Sequence, residues 1–255
     1  MPEFGMVLLG LTLVAFLYAS VGHGGASGYL AILSLTSYAA MSNEWLKQHA
    51  WCLNLIVAGI AFHHYRRAGH YNSTLTLPFI VTSIPAAFVG GLMVVNDVTY
   101  DTLLSFVLIW AAIRIMQGVG VDREDEVELP MKSVAMSTGV GIGGISGIIG
   151  VGGGIFLSPL LILRGWGTAK TVAATSAVFI WANSFAGLMG VVVRGGLDLD
   201  ISILGPFVMC VVVGGFIGAR FGSNHSSQYT VRWLLAIVLL LAALRRTLGM
   251  FGLWG

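Results

Sequence analysis

Apolar runs fill the chain at about 6–37, 45–65, 74–95, 100–118, 131–163, 169–193, 201–222 and 230–249, with short polar stretches between them. A bilayer core takes about 20 helical residues to cross, so the pattern predicts eight membrane-helix segments in two sets of four. The first segment of each set is too long for one crossing. A glycine run cuts each near its middle, Gly22-His23-Gly24-Gly25-Ala26 in one and Gly150-Val151-Gly152-Gly153-Gly154 in the other. Legs of ~15 residues are each ~22 Å long, short of a ~30 Å core, so a re-entrant hairpin fits better than a continuous span.

The two sets match beyond the glycine runs. Lys47-Gln48-His49-Ala50 aligns with Lys170-Thr171-Val172-Ala173, and 101–114 (DTLLSFVLIWAAIR) aligns with 232–245 (RWLLAIVLLLAALR). The chain reads as an internal duplication, with a first transmembrane repeat at 1–119, an acidic linker at 120–130 and a second repeat at 131–255. The expected fold is an all-α polytopic membrane protein of two inverted repeats, each opening on a broken, re-entrant helix.

Composition agrees with this class. Of 255 residues, 56% are hydrophobic and 9% charged, and the mean hydropathy is +0.88; about a quarter of a soluble globule is charged. A net charge of +2 gives no reason to expect nucleic acid as a partner. Cys52 and Cys210 fall in apolar runs and read as small hydrophobes, not as a disulfide. Glu3, with no Lys or Arg before the first apolar run, argues against a cleavable signal peptide. Eight full crossings would divide Lys and Arg 8 against 5 between the two sides, whereas two re-entrant hairpins divide them 9 against 4. Positive charge marks the cytoplasmic side, which favours hairpins, a cytoplasmic linker, both chain ends outside and a multi-pass protein of the cell inner membrane.

A helix that starts inside the membrane presents backbone N–H groups without partners and about half a positive charge. Glycine lets that backbone approach an oxyanion closely, so Gly22, Gly24, Gly25, Gly150, Gly152, Gly153 and Gly154 make two candidate anion sites. Glycines also permit close helix packing, the alternative reading. The following helices offer Asn54 on a face with Ala50, Ala58 and Ala61, and Ser176 on a face with Ala173, Asn183 and Gly187. Asn54, Thr175, Ser176 and Asn183 are candidate donors to substrate oxygens, or interhelical glue. His23 either pairs with an anion and passes a proton, or remains neutral and satisfies a carbonyl freed by the break.

At the head of each repeat, 22–33 (GHGGASGYLAIL) and 150–161 (GVGGGIFLSPLL) resemble the TauE/SafE family of sulfite and organosulfonate exporters. The second copy matches the family pattern including Pro159; in the first, His23 and Ala26 stand where Val151 and Gly154 stand, and Ala31 replaces the proline. The resemblance covers nearly the whole chain and implies a permease for a small sulfur oxyanion such as sulfite or a sulfonate.

No catalytic, metal or cofactor site is expected. His63, His64 and His70 lack a nearby carboxylate and lie beside Arg66 and Arg67, and the second glycine run lacks the Lys and Ser/Thr of a phosphate-binding loop. The reading is a secondary transporter of alternating access with the two breaks meeting at the midplane. An anion channel using the same site, and a membrane enzyme built on the histidines, are the alternatives.

Overall fold

The computed structural model describes residues 2–33, 36–93, 127–227, 230 and 233. The expected segment at 100–118, most of that at 230–249, most of the linker and the aligned stretches at 101–114 and 232–245 lie outside them, apart from single residues such as Trp233. Within the described residues the chain is all helical: α1 (Pro2–Ala19), α2 (Ala26–Leu33), a 3₁₀ turn (Ser37–Ala40), α3 (Asn43–Arg67), α4 (Ser73–Leu92), α5 (Lys132–Ile149), α6 (Gly154–Leu163), α7 (Ala169–Val193) and α8 (Ile201–Arg220). A π-type turn, Phe221–His225, continues α8. Side-chain oxygens cap four of the helix starts. Ser42, Asn72, Thr168 and Asp200 accept N–H bonds from the first turns of α3, α4, α7 and α8.

Both glycine runs break their helices, and the legs are unequal. The expectation of two legs of ~15 residues gives way to 18 and 8 residues in the first hairpin and 18 and 10 in the second. Each long leg, at ~27 Å, nearly spans a core by itself, and each short leg returns only part of the way. In the first hairpin Ile32 packs on Gly10, and Gly28 lies against Val14 and Tyr18. The Ser37 N–H then donates to the Glu3 carboxylate at 2.6 Å, so α2 leads back to the face from which α1 set out. In the second, Trp166 just beyond α6 stands 6.2 Å from Phe79, the residue on which Gly139 of α5 packs.

Small residues set the helix directions. Gly139, Gly143 and Gly147 of α5 sit on the backbone of Phe79, Ser83 and Ala87, so α4 and α5 are parallel. Gly214, Gly218 and Gly222 sit likewise on Thr12, Phe16 and Ser20, so α8 and α1 are parallel. Thr76 meets Thr175 and Gly91 meets Gly187, adding α7 to the α4 and α5 direction. Val57 meets Gly215 and Tyr65 bonds to the Ser20 carbonyl, adding α3 to the α1 and α8 direction. The two groups of three meet where α3 crosses α7 in antiparallel register, Trp51 on Gly187 and Asn54 on Ser184. The hairpins α1–α2 and α5–α6 therefore enter in opposite senses, and each half lends its third helix to the other half's group.

Three described helices are long and apolar enough to cross a membrane: Ser73–Leu92, Ala169–Val193 and Ile201–His225. The 25-residue α3 is not among them, because it carries Lys47, Gln48, His49 and Asn54, all buried against neighbouring helices. Without hydrophobic drive between helices in lipid, close glycine contacts must supply the packing energy. Gly147→Ala, whose Cβ would overlap the Ala87 carbonyl oxygen, should lower stability by about 1–3 kcal/mol. Gly141→Ala, six residues away with open space around it, should be neutral or stabilising by up to ~1 kcal/mol. Thermal unfolding in detergent measures both.

Candidate functional site

Asn54, the twelfth of the 25 residues of α3, organises the meeting of the two breaks. Its Oδ1 accepts the N–H of Ala26, the first residue of α2, at 3.1 Å. Its Nδ2 donates to Ser184 Oγ of α7 at 2.7 Å. One amide thus ties the start of a half-helix in one repeat to a spanning helix of the other. A Cβ on Gly24 would overlap the same Oδ1, which explains the glycine there by space alone.

The second legs begin alike. Gly25, before α2, has φ +98°, and Gly153, before α6, has φ +79°. Both are left-handed values that an L side chain rarely adopts, and they let each chain reverse within a few residues. The N–H groups of Gly24, Gly25, Gly152, Gly153 and Gly154 have no partner among the described residues.

A cleft of about 160 Å³ lies at the first break, nowhere wide enough for a water molecule. Its walls are His23, Gly24, Gly25, Ala26 and Ser27, with Tyr18 of α1 and Asn54 of α3; Val151, Ile155 and Ile180 close it from the other half. Among the described residues, no Asp, Glu, Lys or Arg lines it. Tyr18 OH and Ser27 Oγ are 2.9 Å apart. His23 is 1% exposed, and its Nε2 lies 3.2 Å from Ser158 Oγ of α6, which is 2.6 Å from Ser176 Oγ of α7.

Of the residues singled out by sequence, the structure brings His23, Gly24, Gly25 and Asn54 into one wall. Ser176 stands behind them through Ser158. Gly22 instead packs on the Ala173 backbone, Gly150 on the Lys47 side chain, Gly152 on Asn54, Ile180 and Ser184, Gly153 on Phe179, and Gly154 on Ile180. Thr175 bonds to Thr76 at 2.9 Å between α7 and α4, away from the cleft. Asn183 is buried, and its amide has no partner among the described residues. Sequence reasoning missed Tyr18, Ser27, Ser158 and Ser184. Ser158 stands inside the second motif, one residue before Pro159, and Ser184 adjoins Asn183, so position along the chain pointed near both.

The charged groups lie at the edge. Lys47 Nζ is 3.7 Å from Glu44 and 5.3 Å from the Trp51 ring centre, and Glu44 also pairs with Arg194. Gln48 and His49 bind the loop before α8: Gln48 Nε2 donates to the Gly196 carbonyl, while Gln48 Oε1 and His49 Nε2 accept from the Asp198 and Asp200 N–H groups. His70 approaches the Ser223 carbonyl at 3.1 Å. Among the described residues no group of three His, Cys, Asp or Glu is placed to hold a metal.

Broken hairpins of opposite sense, tip to tip inside an apolar helical bundle, define the architecture of a membrane transporter. The sequence comparisons carry this to a family: residues 6–246 match the model of the sulfite exporter TauE/SafE family, and the chain belongs to it. It is similar to the probable membrane transporter protein y4hK of Sinorhizobium fredii (strain NBRC 101917 / NGR234), 32% identical over 235 residues that cover 91% of this chain and 93% of that relative. It is also similar to the probable membrane transporter protein ORF9 of Sinorhizobium sp, 28% identical over 200 residues, 75% of this chain and 73% of the relative. No solved structure matches the chain.

Ser184, not Asn183, supports the break. Ser184→Ala strands the buried Asn54 Nδ2 and should cost about 1–3 kcal/mol of stability. Asn183→Leu removes an amide already without a partner and should leave the unfolding midpoint unchanged or raise it. Paired thermal melts compare them.

Proposed function

We propose that the protein is a secondary transporter of the cell inner membrane that exports a small sulfur oxyanion, sulfite or an organosulfonate, by alternating access. The observation that carries this is the start of α2. There Gly24 and Gly25, whose N–H groups have no partner among the described residues, line one buried cleft with the Asn54 amide, and no carboxylate of the described residues lines it. Such a place favours a negative charge through the helix dipole and offers several donors to oxygens arranged around one sulfur. The name of the family supports the chemistry of the substrate, and the two relatives support transport.

In this reading His23, Gly24, Gly25 and Asn54 hold the anion from one half. Gly152, Gly153 and Gly154 contribute the N–H groups of the second break, with Gly22 and Gly150 giving the close approach that brings the breaks together. The Asn183 amide and Ser176 complete the site as it opens, while Thr175 serves helix packing. The closed cleft suits a carrier that occludes its substrate better than an open channel. Widening it requires the α1, α3 and α8 group to shift against the α4, α5 and α7 group along the α3 and α7 contact. The protein acts without enzymatic chemistry or a cofactor in this cycle.

Binding tests the anion site. Purified protein should bind at least one of sulfite, sulfate, thiosulfate, sulfoacetate, taurine and methanesulfonate by calorimetry. Asn54→Asp keeps an acceptor for the Ala26 N–H but puts a like charge in the cleft, and should weaken that binding by more than about tenfold, or ~1.4 kcal/mol. Equal affinity in the variant would remove Asn54 from the anion site.

Topology tests the inverted arrangement. Single cysteines placed near Glu126 should react only with reagents that reach the cytoplasm, and cysteines near either end of the chain only with reagents outside. Labelling of linker and ends from the same side would exclude inverted hairpins.

A further inference from the structure

We infer that His23 carries the coupling proton: each anion crosses with one proton bound at His23 Nε2, and a monoanion therefore moves with its proton as a net neutral pair. This rests on the anion reading and goes beyond it by naming the coupling ion and its carrier; net export is then driven by substrate accumulated inside, since the neutral pair gains nothing from the membrane potential.

The hydrogen bonds around the ring fix its neutral form. Nδ1 lies 3.1 Å from the Val21 carbonyl oxygen, which can only accept, so Nδ1 carries the proton. Nε2 then accepts from Ser158, and Ser158 accepts from Ser176. A proton added at Nε2 reverses the order without moving a heavy atom: Nε2–H donates to Ser158 Oγ, and Ser158 donates to Ser176. Either state of the imidazole is therefore hydrogen-bonded at both nitrogens, as a group that gains and loses a proton in each cycle needs to be.

Among the described residues around it, the charged state finds no counter-charge. The titratable groups on the surrounding elements are Tyr18 of α1, edge-on with ring centres 6.4 Å apart, and Tyr29 of α2 beside Gly25. From α3 the cleft receives Asn54, from α6 Ile155 with Ser158 behind it, and from α7 Ile180 with Ser176 behind it. Lys47 packs on Gly150 at the other break and is paired with Glu44. An imidazolium next to the positive start of α2 is unfavourable in an empty cleft and favourable beside an anion. Anion and proton each promote the other's binding, by the reciprocity of linkage. The proton comes from water on the loading side, binds the Nε2 lone pair, and returns to water on the release side; no other bond forms or breaks.

The experiment uses the full chain in liposomes holding a pH dye, with methanesulfonate as the probe because it is a permanent monoanion that does not buffer near neutrality. An inward methanesulfonate gradient at equal pH should acidify the lumen, and clamping the membrane potential with valinomycin and potassium should not change the rate. A pH gradient of one unit should by itself concentrate methanesulfonate about tenfold, the equivalent of one proton per anion. His23→Asn, whose amide nitrogen can still donate to the Val21 carbonyl, should abolish lumenal acidification and make the remaining uptake depend on potential. Uptake without acidification in the native protein would overturn the coupling, and acidification persisting in the folded variant would overturn His23 as its carrier; neither result touches the anion reading. If that variant does not fold, His23→Gln read by the same acidification decides the carrier, and the tenfold accumulation in the native protein decides the coupling. Failure of the native protein to bind methanesulfonate or any anion of the panel would overturn the anion reading first.

Discussion

Lipid offers no hydrogen bonds, so a helix broken at membrane depth must find partners for the backbone groups that the break exposes. Here one side chain answers that need for both halves at once. Asn54 accepts from the first N–H of α2 and donates to Ser184 of α7, and Gly24 and Gly152 lie against its amide on the two sides. The arrangement is partial. Several N–H groups at the breaks have no partner among the described residues, and in the proposed function these orphan donors are what would draw a negative charge into the cleft. Stability and function therefore compete for the same groups, because a side chain that satisfied every donor would fill the site.

The packing that holds the breaks in place also divides the molecule for movement. Within each group of three helices, contacts run backbone to backbone: Gly147 on Ala87 and Gly190 on Phe88 in one, Gly218 on Phe16 in the other. Contacts of that kind have discrete positions and resist gradual sliding. Between the groups, along α3 and α7, side chains intervene, with the Trp51 ring on Gly187 and the Asn54 amide on Ser184. The proposed opening of the cleft therefore falls at α3 and α7. Each hairpin tip stands at this same seam, so under the proposed function a shift there would change access to the anion from one side or the other.

The breaks were legible in the sequence because a run of glycines inside an apolar stretch has few explanations in a membrane, and their duplication removed most of the remainder. The lengths of the legs were not, since hydropathy marks where a helix is apolar and not where it turns back. Helical spacing placed Asn54 correctly on a face with alanines, because small neighbours and one amide make a recognisable interface. The same reasoning put Asn183 and Thr175 forward, whereas the amide of Asn54 meets Ser184 and Thr175 meets Thr76. Periodicity gives the face of a residue but not the helix opposite, and α7 meets α3 with one face and α4 with another. Exchange of third helices between halves was invisible for the same reason: Gly139, Gly143 and Gly147 announce a close partner without naming α4.

Symmetry of the scaffold and asymmetry of its chemistry have separate origins. The two hairpins need the same backbone turns, and Gly25 and Gly153 supply them with similar positive φ. At the residue after the first glycine of each run the halves part, with His23 in one and Val151 in the other. Both face the same cleft, so the site has one apolar wall and one that hydrogen-bonds. The hydroxyl that meets His23 belongs to the opposite hairpin: Ser158 stands on α6, and Ser176 on the helix after it. The polar chain therefore crosses the seam at which the two groups of helices would move. A shift that opens the cleft must alter the contact between His23 and Ser158, and the ionisable group is thereby linked to the conformation of the whole bundle.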